Sequence, residues 1–237
     1  VDAFDVVTVN RSGGGTMLAV SASRDDVEKV VSGIDVSLAN HNHPTQIVLS
    51  GSNEAIDAAE KALKAEKMRS TRLPVATAFH SPVVAGAVEP FGAKLKDLTI
   101  NEPTLPVYCN ATAARYEGDP KARIAGAIAA PVRFVEQVEA MNAAGATTFV
   151  EVGPGSVLTG LIGRILKKKA HRAINTDRKG KDGVSALQDA LAQLVADGRA
   201  MSLGALWEEY EPVDDPRDAT KPKLVLKLNG SNYGKPY

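Results

Sequence analysis

Gln46-Ile47-Val48-Leu49-Ser50 reads as a short strand, followed at Ser52 by a serine able to cap a helix, and its flanks decide the fold of the first part of the chain. Beyond the cap, Ile56, Ala59 and Leu63 recur at helical spacing, and residues 68–75 supply another strand. On the other side, residues 34–40 read as a strand. Before them, Val27, Val30 and Val31 mark the apolar face of a helix whose first turn carries Asp25 and Asp26, favourable at the positive end of a helix dipole. Thr16-Met17-Leu18-Ala19-Val20-Ser21 is a buried strand. The order β-α-β-β-α-β predicts a ferredoxin-like unit over residues 14–75.

From residue 76 the pattern lengthens. Pro131 stands where a first-turn proline is tolerated, and Phe134, Val135, Val138 and Met141 form an apolar helical stripe that ends near Gly145. Thr147-Thr148-Phe149-Val150-Glu151-Val152 is a strand. Gly153-Pro154-Gly155 then turns the chain into a helix expected to bury Val157, Leu158, Leu161, Ile162, Ile165 and Leu166, with Lys167-Lys168-Lys169 at its negative end. Ala173-Ile174-Asn175-Thr176 is a further strand, and Val184, Leu187, Leu191, Leu194 and Val195 mark a last amphipathic helix stopped by Gly198. Strands alternating with helices imply a parallel sheet, so the expected class is α/β, with the larger part over residues 76–205. After Trp207 the composition turns to Glu, Asp, Pro and Lys, and residues 206–237 are expected to form a linker or wrapping tail. Lys223-Leu224-Val225-Leu226-Lys227-Leu228 could add an edge strand there.

Among the 237 residues, 28 basic side chains balance 28 acidic ones and 44% are hydrophobic, enough for a real core. With no polybasic face in the first 160 residues, neither a nucleic-acid partner nor a membrane surface has electrostatic support. The single cysteine, Cys109, fits a reducing compartment, and no signal peptide or long apolar span is visible, so the expected location is cytoplasmic. Val1-Asp2-Ala3-Phe4-Asp5 has no initiator methionine, and residues 1–13 read as a connector from a preceding segment.

Ala76-Thr77-Ala78-Phe79-His80-Ser81-Pro82 carries the chemistry. A neutral imidazole can take a proton from a serine hydroxyl near neutral pH, so His80, at the end of an apolar strand, is a candidate general base. By residue type alone, a packed or hydrogen-bonded histidine is the commoner reading. The Gly-x-Ser-x-Gly elbow that would expose a nucleophilic serine occurs nowhere in the sequence.

Five segments, in order, carry a family resemblance: Gly15-Thr16-Met17-Leu18-Ala19-Val20, Asn40-His41-Asn42-His43-Pro44-Thr45-Gln46-Ile47-Val48-Leu49-Ser50-Gly51, Ala78-Phe79-His80-Ser81-Pro82, Pro131-Val132-Arg133-Phe134 and Glu151-Val152-Gly153-Pro154-Gly155. Together, over residues 14–205, they resemble the acyltransferase domains that load malonyl units in polyketide, polyunsaturated fatty acid and bacterial fatty acid synthases. The closing Asn229-Gly230-Ser231-Asn232-Tyr233-Gly234-Lys235-Pro236-Tyr237 is similar to the linker after this domain in synthases of the polyunsaturated type. The resemblance implies part of an α/β-hydrolase-like core beside the ferredoxin-like subdomain. It also implies ping-pong chemistry. A serine in a Gly-His-Ser-x-Gly elbow takes the acyl group from coenzyme A with His80 as base, then passes it to the phosphopantetheine thiol of an acyl carrier protein. In the family the elbow, an oxyanion-hole glutamine and a carboxylate-gripping arginine precede the ferredoxin-like unit, and the sequence reads as starting just after them.

The remaining site residues follow from the same resemblance. Phe79, just before the histidine, implies malonyl over methylmalonyl, because the ring fills the space an α-methyl group would need; Thr77 departs from the histidine or glycine usual in malonyl-type members. Asn42 matches an asparagine lining the acyl pocket, while a turn-forming asparagine is the alternative. Ala127 stands where the family often has a glutamine whose backbone carbonyl orients the histidine. His41 and His43 flank Asn42 without a cysteine or carboxylate cluster, so no metal is expected. Gly153-Pro154-Gly155 lacks the Gly-Lys-Ser/Thr ending of a phosphate loop and reads as a structural turn.

The leading expectation is the C-terminal portion of a malonyl-CoA:acyl carrier protein acyltransferase domain of a multidomain synthase. It would have no tightly bound cofactor, malonyl-CoA as substrate, and acyl carrier protein and the missing N-terminal half or other synthase domains as partners. Such a chain alone would be inactive and would expose an apolar sheet edge unless the other half stays bound. The rival is a non-catalytic module that docks acyl carrier protein or braces a neighbouring domain. Hydrolysis of stray acyl thioesters is a third reading, and it needs the same absent serine.

Overall fold

The computed structural model describes residues 14–75 and 77–206, so the expected connector at 1–13 and the tail beyond Leu206, with its edge strand, lie outside the described residues. The chain divides into two units, Val1–Gln193 and Leu194–Tyr237. Of the second, residues 194–206 are described and include a 3-10 turn at Gly204–Leu206.

The first unit begins with β1 (Gly15–Val20), α1 (Arg24–Val30), β2 (Val36–His43), β3 (Gln46–Ser52), α2 (Asn53–Ala65) and β4 (Ser70–Arg72). The strands form an antiparallel sheet in the order β2-β3-β1-β4, the ferredoxin-like arrangement expected. Ser52 caps α2 by accepting from the Ala55 N–H at 3.1 Å, and Ser23 caps α1 in the same way through Asp26. One face of the sheet buries Leu18, Val20, Ile47 and Leu49 against Val27, Ile56, Ala59 and Leu63 of the helices. The pleat turns Met17, Ala39 and Val48 to the opposite face, where Leu73, Val75 and Phe79 cover them. β2 runs on through His43, past the expected end at residue 40, because β3 continues to pair with it across two irregularities. Asn42 therefore sits in a strand rather than a turn.

The rest of the unit comprises a 3-10 turn (Pro82–Ala87), α3 (Val88–Lys96), the hairpin β5 (Tyr108–Cys109) and β6 (Ala114–Arg115), α4 (Lys121–Gly126), α5 (Phe134–Ala143), β7 (Thr148–Glu151), α6 (Val157–Ile165), β8 (Arg172–Asn175) and α7 (Gly183–Ala196), whose last residues fall in the second unit. β7 and β8 pair in parallel, as the strand–helix alternation predicted. Val135, Val138, Ile162, Ile165 and Leu166 form the core between α5 and α6, with Phe149 and Ala173 of the two strands against it. Glu151 ends β7 by capping the next helix: its carboxylate accepts from the N–H groups of Leu158 and Thr159 at 3.1 and 2.7 Å. Burial acts against that carboxylate, but the Thr159 hydroxyl and these N–H groups outweigh it and hold its pKa low.

Three expectations need correction. Pro131 is not in a first turn, since α5 starts at Phe134 with Arg133 as its N-cap residue. In α6, Ile162, Ile165 and Leu166 are buried as expected, but Val157 and Leu158 are 71% and 44% exposed. α7 buries Ala186 and Ala190 while Val184 and Leu187 stay exposed. The sheet beneath these helices has only two strands among the described residues, too narrow to cover every apolar position that periodicity marks. No helix among the described residues is long and apolar enough to cross a membrane.

Two backbone bonds join the ferredoxin-like sheet to the rest of the unit. The Val132 N–H donates to the Ala39 carbonyl at 2.8 Å and the His41 N–H donates to the Val132 carbonyl at 2.9 Å, forming a short parallel bridge at Asn40. Side chains flank it. Glu136 on α5 meets Arg24 at 3.0 Å and His41 Nδ1 at 3.2 Å. Burial raises the Glu136 pKa, but its own backbone N–H, His41 and Arg133 together lower it. His43 is buried; its Nδ1 accepts from the Thr45 N–H at 3.2 Å, while Nε2 lies 3.5 Å from Arg164 on α6. Burial, then Arg164 and His41, lowers the His43 pKa.

This packing is open to two tests. A Cβ on Gly15 would meet Ala78 Cβ and the Gly51 carbonyl at 2.7 Å, so Gly15→Ala is expected to cost about 1–3 kcal/mol of stability in urea unfolding. Because His43 titrates lower when folded, its contribution is complete above its ordinary value of 6.5 and is lost as pH falls toward the lower folded value. Glu136, held below 4.5, contributes constantly through that window. The wild type should therefore lose more stability than His43→Gln between about pH 7.5 and 5.5, and equal slopes in the two unfolding series would contradict this.

Candidate active site

Leaving β4, the chain stays on the sheet, with the Leu73 N–H donating to the Met17 carbonyl at 2.9 Å, and then crosses through residues 77–81. Phe79 lies half-buried against the Met17, Ala39 and Val48 face, so its ring is fixed by the ferredoxin-like sheet. His80 follows with φ of 56°, the left-handed region that side chains other than glycine rarely occupy. Such a conformation costs roughly 1–3 kcal/mol and persists only where its surroundings over-determine it.

The surroundings here are three carbonyls between α4 and α5. The His80 N–H donates to Ile128 O at 3.1 Å. Its ring Nδ1 faces Ala130 O at 2.9 Å and Ala127 O at 3.2 Å. A carbonyl only accepts, so Nδ1 carries the proton and shares it between the two oxygens, and Nε2 of the neutral ring keeps its lone pair. One ring nitrogen is anchored, and the other, which has no partner among the described residues, can act as a base. The ring is half-buried.

The structure brings the expected residues together to different degrees. The Ala127 carbonyl lies 3.2 Å from His80 Nδ1, and the Ala130 carbonyl, at 2.9 Å, is the nearer partner. Asn42 lies half-buried on β2, two residues beyond the bridge to Val132 and so on the strand tied to the same α4–α5 connection. His41 and His43 are engaged at the junction with Glu136, Thr45 and Arg164. Among the described residues, no three His, Cys, Asp or Glu side chains converge as a metal would need. Sequence reasoning missed Ile128 and Ala130 because both act through backbone oxygens, which leave no side-chain signature. Ser81 did leave one, a Ser-Pro pair directly after the histidine.

The chain matches the acyl transferase domain family over residues 5–200. It is 32% identical over 231 residues to a polyunsaturated fatty acid synthase polypeptide of Thraustochytrium sp., covering 92% of this chain and 8% of that protein. It is 34% identical over 174 residues to the malonyl CoA-acyl carrier protein transacylase of Bacillus subtilis, covering 70% of this chain and 53% of that one. The crystal structure of the acyltransferase domain from the second module of the salinomycin polyketide synthase superposes with a TM-score of 0.76 at 28% identity, covering 86% of this chain and 51% of that one. The chain thus spans about half or less of the length of the curated relatives it matches. With the ferredoxin-like sheet, the parallel β7–β8 pair and the match over residues 5–200 in agreement, the chain belongs to the acyl transferase domain family.

Proposed function

We infer that this chain supplies the general base and part of the acyl pocket for malonyl transfer from coenzyme A to an acyl carrier protein. The observation that carries the reading is His80 in a left-handed backbone conformation, its ring Nδ1 tied to two carbonyls and its Nε2 without a partner among the described residues. Nε2 would take the proton of a serine carried outside this sequence as the serine attacks the malonyl thioester, leaving malonyl on the serine as an ester and coenzyme A as the thiol. Nε2 would hand that proton to the departing coenzyme A sulfur, then deprotonate the phosphopantetheine thiol that attacks the ester and return the proton to the serine oxygen as the acyl group moves to sulfur. Likeness to a transacylase named for malonyl-CoA and acyl carrier protein supports the substrate pair. Phe79, pinned against the sheet, supports malonyl over a methyl-branched unit, and Asn42 would line the same pocket.

Boundaries at 1–13, 14–75, 76–205 and 206–237 for connector, small subdomain, partial core and linker fit this reading. So do the exposed apolar side chains Val150, Val152, Val157 and Leu158 beside the two-stranded parallel sheet, since parallel sheets are ordinarily covered on both faces. A cytoplasmic setting fits the lone cysteine. One observation favours a docking module without catalysis: no Gly-x-Ser-x-Gly elbow occurs in the sequence.

Intact-mass measurement after exposure to malonyl-CoA separates the two. The chain alone should stay unmodified, and a co-expressed polypeptide bearing the family's serine elbow should gain one malonyl group that acyl carrier protein then removes. His80→Ala should slow that transfer about 10²–10⁴-fold. Phe79→Ser should raise methylmalonyl loading relative to malonyl about tenfold or more. Binding of acyl carrier protein with no acyl adduct under any of these conditions would instead establish the docking module.

A further inference from the structure

Ser81 stands where a helix-capping residue belongs. It precedes Pro82, the first residue of the 3-10 turn Pro82–Ala87, and is the N-cap residue of that turn with extended backbone angles. A serine there ordinarily turns its oxygen forward to accept from the first N–H groups. Ser81 makes no such bond. Its side chain turns back instead, and Oγ donates to the Ala78 carbonyl at 2.7 Å. Ser81 is 1% exposed and Ala78 is fully buried, so no water competes for either group.

The bond closes a loop of four residues, and the residue held inside it, next to Ser81, is His80 in its left-handed conformation. The Ala127, Ala130 and Ile128 carbonyls hold His80 from the side of the α4–α5 connection. On the other, Ala78 packs against the sheet, its Cβ in the space that Gly15 leaves free by having no side chain. We propose that Ser81 is a positioning residue, whose hydroxyl clamps the Ala78–Ser81 loop and thereby keeps His80 in the left-handed conformation that aims Nδ1 at Ala127 and Ala130. Without the clamp, relaxation of His80 to a negative φ would swing its Cα–Cβ bond and release Nδ1, so the proton would distribute between the two ring nitrogens.

The catalytic part of this inference rests on His80 being the base; the structural part does not. Long-range proton–nitrogen NMR of the folded chain should find His80 as the Nδ1–H tautomer. Ser81→Ala should give a mixture of tautomers, and Ser81→Thr, which keeps the hydroxyl, should restore the single form. Val84→Ala, which removes buried volume from the same 3-10 turn, should lower stability yet leave the tautomer unchanged. Should alanine prevent folding, Ser81→Cys, of similar size but a weak donor, takes its place. In the transfer assay with the elbow-bearing polypeptide, Ser81→Ala should lower kcat about tenfold or more with the KM for malonyl-CoA little changed. A folded Ser81→Ala chain with an unchanged tautomer overturns the clamp. Undiminished transfer by His80→Ala would overturn the functional reading instead, and the NMR comparison would still decide the role of Ser81.

Discussion

Everything at the candidate site depends on the bridge between β2 and Val132. That single residue both donates to and accepts from the edge of the ferredoxin-like sheet. The segment it belongs to provides, within five residues upstream, the three carbonyls that hold His80. The histidine itself leaves the opposite edge of the sheet, after β4 pairs with β1. The small subdomain is thus bonded to the rest of the unit at one edge and continues into the His80 loop from the other.

Magnitudes indicate which contacts do the holding. The Arg24–Glu136 and Arg24–Glu28 pairs have side chains between 24% and 43% exposed, and pairs of that kind contribute about 0–1 kcal/mol. A buried apolar side chain of the size of Met17 or Val48 contributes roughly 1.5–3 kcal/mol. Apolar cover beneath the sheet therefore outweighs the charges at its rim. The polar groups at the junction constrain angle and register, with His41 facing Glu136 of α5 and His43 lying beside Arg164 of α6.

Much of the fold was legible because its signals are local. Ser52 before Ile56, Ala59 and Leu63 states a cap and a face within a dozen residues, and both were found where expected. Long-range effects were not legible. Polar Asn40 to His43 give no strand periodicity, and only pairing with β3 extends β2 over them. Periodicity marked Val157 and Leu158 as inward because it records which positions are apolar, and has no knowledge of how wide the underlying sheet is. At the candidate site, side chains and motif singled out His80 and Phe79. The oxygens of Ile128 and Ala130 could not, because any residue carries the same carbonyl.

Sharing one N–H between Ala127 and Ala130 has a consequence for the proposed role of His80 as base in two steps. A donor aimed at a single oxygen loses its bond when the ring tilts by a few tens of degrees. With two oxygens 2.9 and 3.2 Å away, the His80 ring can tilt from one toward the other and stay bonded throughout. Nε2 gains a short arc of travel while the tautomer stays fixed. On the proposed two-step transfer, that arc lets one imidazole follow its proton partner from a serine oxygen to a thiol sulfur, two atoms of different size that cannot occupy the same point.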